Sequence, residues 1–216
     1  MKNIPPILRD LPEEWIGPRI VLRPRGPGDA EAIWEAVEES REQARQWLPW
    51  VDQTISIEDC VASGRRGLAN WITREDLGVC LYDRETGRYL GGSGLHRINW
   101  EIPAFEIGYW LRTSAQGYGY VTEAVQILAG FVFDNFDAQR VFIRCDSLNT
   151  RSAAVPRRLG FIQEATLRNE CRDNDGELRD TLVFALTADD YKRVKPLWTK
   201  AAAYKASPPQ SLEEGS

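Results

Sequence analysis

The sequence predicts a single mixed α/β domain, and three observations carry that prediction. Runs rich in aromatic and β-branched residues alternate with runs of helical period, the pattern of strands joined by helical crossovers. Two pairs of strand-like runs are separated by turn signals, Glu85-Thr-Gly-Arg88 and Asp173-Asn-Asp-Gly176. Antiparallel hairpins therefore share the sheet with the crossovers. The chain has 216 residues, 43% hydrophobic and 27% charged, which suits one globular domain with a sizeable core.

In chain order, Arg19 to Arg23 reads as a short strand ended by Pro24 and Pro27. Asp29 is placed to cap a helix from Ala30 to Glu39, with Glu31 in its first turn. An aromatic connector, SREQARQWLPWVDQT, leads to a helix from about Ser56 to Thr73. Leu77 to Asp83 and Tyr89 to Ile98 form the first hairpin, and Ala104 to Leu111 the next strand. A helix from Gly119 to Asn135 follows, because Val121, Ala124, Val125, Leu128, Ala129 and Val132 recur at helical spacing. Arg140 to Cys145 is a strand, Asn149 to Leu159 a helix closed by Gly160, and Phe161 to Glu170 and Glu177 to Leu186 the last hairpin. The order implies a central mixed, mostly antiparallel sheet flanked by helices, with at least one right-handed crossover. A single domain is expected over residues 1–195, and residues 196–216, ending in KASPPQSLEEGS, are expected to be a disordered tail.

Composition removes several function classes. A net charge of −5 argues against a nucleic-acid partner held by phosphate neutralisation, and mildly suits a cationic partner such as an amine or basic peptide. No apolar run approaches the ~20 residues of a membrane span, and the first residues lack a signal peptide's apolar stretch. A cytoplasmic protein without a membrane partner is expected. Cys60, Cys80, Cys145 and Cys171 form no C-x-x-C pair and His96 is the single histidine, so reduced thiols and no metal site are expected.

The segment Arg112 to Val125, RTSAQGYGYVTEAV, places two glycines between a strand and a long helix. Such a turn presents backbone N–H groups and the positive end of a helix dipole to an anion. A dinucleotide fingerprint would need a third glycine where Thr122 stands, and no Gly-Lys-Ser/Thr ending supplies a phosphate loop. What remains is Gln116-x-x-Gly119-x-Val121, with room for a pyrophosphate.

From EIGYWLRTSAQGYGYVTEAV through RCDSLNTRSAAVPRRLGF, the chain resembles the GNAT superfamily of acyl-CoA-dependent N-acyltransferases. More narrowly it is similar to the branch that includes the ribosomal-protein N-terminal alanine acetyltransferases. The resemblance covers about Arg19 to Leu186, including the leading IVLRP strand and the WLPW element. It implies a sheet splayed between two parallel strands, acetyl-CoA as co-substrate, and transfer of an acetyl group to a primary amine by direct attack in a ternary complex. In that family Q/R-x-x-G-x-G/A binds the pyrophosphate of coenzyme A, which carries over to Gln116, Gly117, Tyr118, Gly119, Tyr120 and Val121. Val121 departs from the usual Gly or Ala, but a backbone amide serves with any side chain. The pantetheine arm would follow Tyr109, Trp110 and Leu111, with Asn149 and Ser152 at the thioester and the Ser152 hydroxyl protonating the leaving thiolate. Many relatives carry a tyrosine further along that helix, where Pro156 and Arg157 stand here.

Alternation puts Glu106, Gly108 and Trp110 on one face of their strand and Phe105, Ile107, Tyr109 and Leu111 on the other. Gly108 leaves space beside Glu106 for a ligand chain. An amine must lose a proton before it attacks a thioester, so a base near neutrality is required. Glu106 is one candidate, with an ion pair to Arg97, Arg112 or Arg144 as its structural alternative. Glu170, which the resemblance matches to a proposed base late in its strand, is the other. Cys145, with only His96 as a partner, reads as a core thiol. On the acceptor side the candidates are Trp47, Trp50, His96 and Glu106, and Trp71 and Trp100 are further aromatics, several of the group falling in connectors. A protein or peptide N-terminus as acceptor follows from the branch resemblance alone. A homodimer is left open, and a non-catalytic acyl-CoA-binding regulator is the alternative function.

Overall fold

The structure, a computed structural model, describes residues 4–198 and 205–206. Its strands are β1 (Trp15–Ile16), β2 (Ile20–Pro24), β3 (Leu77–Asp83), β4 (Tyr89–Asn99), β5 (Ala104–Leu111), β6 (Arg140–Asp146), β7 (Ile162–Arg172), β8 (Leu178–Thr187) and β9 (Lys205–Ala206). They join one sheet in the order β7-β8-β6-β5-β4-β3-β2-β1-β9. Helices α1 (Ala30–Ala44), α2 (Trp50–Gln53), α3 (Ile57–Thr73), α4 (Tyr120–Asn135), α5 (Thr150–Arg158) and α6 (Ala188–Val194) flank it.

Among the described residues every pairing is antiparallel except that of β5 with β6, which α4 connects. That parallel pairing holds only for Ala104↔Arg140, Phe105↔Val141 and Glu106↔Phe142. Beyond Glu106 the two strands part, although each keeps its outer neighbour to its end. The expected splay is therefore present, and Glu106 sits at its apex.

Two apolar layers hold the strands at this opening. On one face Phe105, Ile107, Val141 and Ile143 meet Ala124, Val125, Ile127 and Leu128 of α4 in one core cluster. Residues Glu123 to Val132 are all buried, so α4 is a central helix rather than a surface one. Each fully buried Leu or Ile there stabilises by about 1.5–3 kcal/mol. The other face, toward β3 and β4, carries α1–α3 through Ile33, Val37, Val51 and Cys60 against Cys80 and Tyr89.

Several details differ from the sequence expectation. Asp29 precedes α1 but makes no side-chain cap. Its carboxylate instead takes Arg23 Nη2 (2.6 Å), Tyr82 Oη (2.5 Å) and the Gly26 amide (2.8 Å), a stronger set of donors than a helix amide alone. The helix α1 runs on to Ala44 because Val37 and Ser40 are still buried against the sheet, so five residues assigned to the connector are helical. Part of the tail expected to be disordered from Pro196 is structured. Trp198 is buried against Tyr191 and donates Nε1 to the Leu159 carbonyl (3.1 Å), and Lys205–Ala206 pairs with β1. The rest of that expected tail lies outside the described residues. No helix of the described residues is long and apolar enough to cross a membrane.

Candidate active site

The glycine turn is built by backbone conformation. Gly117 (φ +88°) and Gly119 (φ +81°) both occupy the left-handed region that side chains disfavour. From Gly117 to Thr122 no amide donates to a protein acceptor among the described residues. The carbonyls are occupied instead: Arg19 donates Nη1 to the Tyr118 carbonyl (2.7 Å) and Nη2 to that of Gly119 (3.4 Å). Arg19 is fixed in turn by Glu123, which takes its Nε at 2.8 Å and its amide at 2.9 Å from a buried position in α4. Cations frame the turn, since Arg151 Nη1 donates to Gln116 Oε1 (3.1 Å) and Arg158 Nη1 to Thr122 Oγ1 (3.0 Å). Free amides, a helix N-terminus and three guanidinium groups fit a pyrophosphate. Val121 contributes only its backbone to this arrangement, and Tyr118 and Tyr120 lie 6.0 Å apart, ring to ring, beside it.

Where β5 and β6 part, Tyr109 of β5 meets Ser152 of α5. The Ser152 hydroxyl donates to Tyr109 Oη (3.3 Å), and Tyr109 donates to the Ser152 carbonyl (3.0 Å). Burial pushes the Tyr109 phenol well above its ordinary range, so it stays a neutral donor. Asn149 caps α5 by accepting the Ser152 amide (2.9 Å), which fixes the helix start beside β6. Cys145 lies against Ser152, and burial raises its thiol, as expected of a packing residue. Among the described residues all four cysteines are free.

Glu106 faces the other side of β5. Arg97 Nε is 2.9 Å from its Oε2, but that oxygen accepts no aligned hydrogen bond. Distance and hydrogen-bonding thus disagree, and a charge contact without a directed bond describes the pair. Burial raises the Glu106 carboxyl above its usual range, opposed by positive charge on Arg97, Arg144 and His96 and reinforced by Glu170. Glu170 is held differently. Thr181 Oγ1 donates to it at 2.8 Å and Arg144 forms an ion pair with it, so its carboxyl lies below the usual range.

His96 Nδ1 lies 2.7 Å from Asp76 Oδ2, and its ring covers two glycines. A Cβ on Gly94 would come within 2.8 Å of His96 Cε1, and one on Gly108 within 3.1 Å of Cδ2. The space that Gly108 leaves beside Glu106 is therefore filled by the imidazole, not open to a ligand chain. Trp110 points to the α1–α3 layer, edge-on to Trp50 at 5.2 Å, while Tyr109 faces Ser152. Only one of these two neighbouring side chains therefore lines the opening between β5 and β6. Leu111 packs on the main core and its carbonyl takes Gln116 Nε2 (3.4 Å). Trp47 is half-buried in the connector before Trp50. Trp71 is a core residue packed on Trp15, and the partly buried Trp100 packs against the core on Phe105 and Phe136.

Arg19, Glu123, Arg144, Arg151 and Thr181 were not read as site residues from sequence. Two of them carry a signal there: Glu123 is a carboxylate inside an apolar helical run, and Arg144 is one of the arginines open to Glu106 as an ion-pair partner.

Comparison with known proteins identifies the family. Residues 19–162 match the family model of the acetyltransferase (GNAT) domain. The chain is 28% identical over 184 residues to YdaF of Bacillus subtilis (strain 168), assigned provisionally as a ribosomal N-acetyltransferase. That match covers 83% of this chain and 97% of YdaF. It is also 40% identical over 79 residues to the ribosomal-protein-serine acetyltransferase of Escherichia coli (strain K12), 37% of this chain and 44% of that protein. In fold it is similar to RimL, the ribosomal L7/L12 alpha-N-protein acetyltransferase in complex with coenzyme A. The TM-score is 0.76 at 22% identity, over 84% of this chain and 99% of that one. The microcin C7 self-immunity acetyltransferase MccE, in complex with acetyl-CoA and AMP, gives a TM-score of 0.75 at 22% identity, over 79% and 93%. The chain belongs to the GNAT family and is an acetyl-CoA-dependent N-acetyltransferase.

Proposed function

We propose that the protein transfers an acetyl group from acetyl-CoA directly to the amine of a protein or peptide N-terminus. The observation that carries this reading is Glu106 Oε2, a buried oxygen without a hydrogen-bond partner at the apex of the splay. An acceptor ammonium is the donor such an oxygen lacks. With its raised pKa, Glu106 can take the proton that the amine gives up before attack. The amides from Gly117 to Val121 would hold the pyrophosphate, and Tyr109, Leu111 and Asn149 would border the pantetheine. Ser152, already hydrogen-bonded to Tyr109, would return a proton to the departing thiolate.

In this reading Glu170 is not the base, because Arg144 and Thr181 keep it ionised and occupied. Trp47, Trp50 and His96 would wall the acceptor groove. A protein acceptor is supported by the names of YdaF and the ribosomal-protein-serine acetyltransferase, whose activities concern ribosomal proteins. The test measures thiol release from acetyl-CoA with a panel of peptides of different N-termini. CoA release that depends on a free N-terminal amine is expected. Tight acetyl-CoA binding without release across the panel would make the protein a CoA-binding regulator instead.

A further inference from the structure

The proposed transfer site holds a cation of its own, in a backbone setting that disfavours it. Between His96↔Glu106 and Asn99↔Ala104, β4 has two residues, Arg97 and Ile98, where β5 has only Phe105. This is a bulge, a device that re-aims side chains at sheet positions beside functional sites. Its first residue, Arg97, has φ +44°, the left-handed setting that such bulges usually give to glycine. The chain thus keeps a strained arginine where glycine would fit without strain, and that arginine reaches Glu106.

The contact is of a kind that is easily released. Arg97 Nε comes within 2.9 Å of Oε2 without hydrogen-bond alignment, and the Arg97 side chain is 66% exposed while that of Glu106 is 15% exposed. The other charged groups around Glu106 have partners. Arg144 is bound to Glu170, Glu170 also to Thr181, and His96 lies against Asp76. Arg97 alone among these cations has Glu106 as its single partner among the described residues. A buried carboxylate is costly without a cation, so an exchange of one cation for another keeps it paired throughout.

We propose that Arg97 is a positioning residue that keeps the acceptor's place: its guanidinium neutralises Glu106 until the ammonium of an incoming primary amine displaces it toward solvent. This rests on the reading of Glu106 as the acceptor's carboxylate.

The test uses the full chain with Arg97→Gly and Arg97→Lys, and seryl amide as a one-residue stand-in for a peptide N-terminus. The carboxyl carbon resonance of Glu106, assigned with Glu106→Gln, reports both its titration and amine binding. In Arg97→Gly the carboxyl should titrate at higher pH, and the melting temperature should not fall, because glycine relieves the left-handed strain. At a pH where Glu106 is ionised, seryl amide should bind about tenfold more tightly, the factor of one pKa unit. Lysine, which restores the charge, should return both quantities toward the original protein. A lower melting temperature with an unmoved carboxyl titration would make Arg97 a structural ion pair and overturn the proposal. Weaker seryl amide binding in Arg97→Gly, or no response of Glu106 to seryl amide in either protein, would overturn it as well. Calorimetry with acetyl-CoA runs alongside, and its failure would sink the acyl-transfer reading while leaving the effect of Arg97 on the carboxyl titration to stand or fall separately.

Discussion

The turn from Gln116 to Tyr120 and the carboxylate of Glu106 stand on either side of β5 and prepare for charge by opposite means. The turn is backbone: two left-handed glycines, amides without protein acceptors, and carbonyls drawn off by Arg19. Glu106 is a side chain whose surroundings come from several strands, with Arg97 on β4, Arg144 on β6 and Glu170 on β7. The first is a local structure that any anion of the right shape can use. The second exists only after the sheet has formed in one register. A ligand held by the turn is thus recognised before the chemistry, and the chemistry depends on long-range packing.

The largest effect expected from breaking this division is at Glu106. Glu106→Gln keeps the shape but cannot take a proton, so kcat should fall about 10²- to 10⁴-fold, the usual contribution of general acid–base catalysis. Binding of acetyl-CoA should be unchanged, since the turn does not touch this residue. The sign of its pH dependence follows from burial. A carboxyl with a raised pKa is favoured neutral in the folded state, so it contributes stability at acidic pH that is lost as pH rises. Glu106→Gln should therefore melt no lower, and at neutral pH higher, than the original protein. The acid limb of kcat/KM, where activity falls as Glu106 gains its proton, should vanish with it. Steady-state kinetics over pH and thermal melts check both statements.

Next in size is the turn. Gly119→Glu forces a side chain into φ +81° and offers the free amides a competing carboxylate. The left-handed conformation alone costs roughly 1–2 kcal/mol. With competition for the dipole added, acetyl-CoA affinity should drop about 100-fold, near 3 kcal/mol. Calorimetry measures it, and an affinity unchanged by the variant would mean that the glycines only turn the chain.

The same contrast explains what could be read from sequence. The turn was legible because its glycines, its strand and its helix are contiguous, and strand alternation singled out Glu106. The partners that set the character of each carboxylate are legible only in part: Arg97 and Arg144 stand among three arginines open to Glu106, and nothing in the sequence chooses between them. Arg97 reaches Glu106 through a bulge that no periodicity announces, and Thr181 reaches Glu170 through the pairing of β7 with β8. Gly108 was misjudged for a related reason, since the ring that fills its space belongs to the neighbouring strand. Of the elements, β1 has two residues, too few to show a period. The helix α6 opens with a capping box, Thr187 and Asp190, which followed a strand end and preceded an expected tail.

The smallest effect sharpens the comparison within the carboxylates themselves. Glu170 and Glu106 are both acidic, both near Arg144, and both chemically able to serve as a base. Their surroundings push them apart. The Thr181 hydroxyl and the Arg144 guanidinium lower the Glu170 carboxyl from 4.5, whereas burial raises that of Glu106. A carboxylate below 4.5 is a weak base at neutral pH, and its oxygens are already engaged. Glutamine at 170 can still accept from Thr181, so Glu170→Gln should change kcat by no more than about fivefold, in keeping with the 0.2–1 kcal/mol of a partly exposed ion pair. A lowered carboxyl contributes stability above its unfolded value that is lost as pH falls, so the variant should differ mainly in acid and leave the acid limb of kcat/KM in place. If Glu170→Gln instead removed that limb while Glu106→Gln kept it, the roles of the two carboxylates would be exchanged, and the charge contact of Arg97 with Glu106 would be structural.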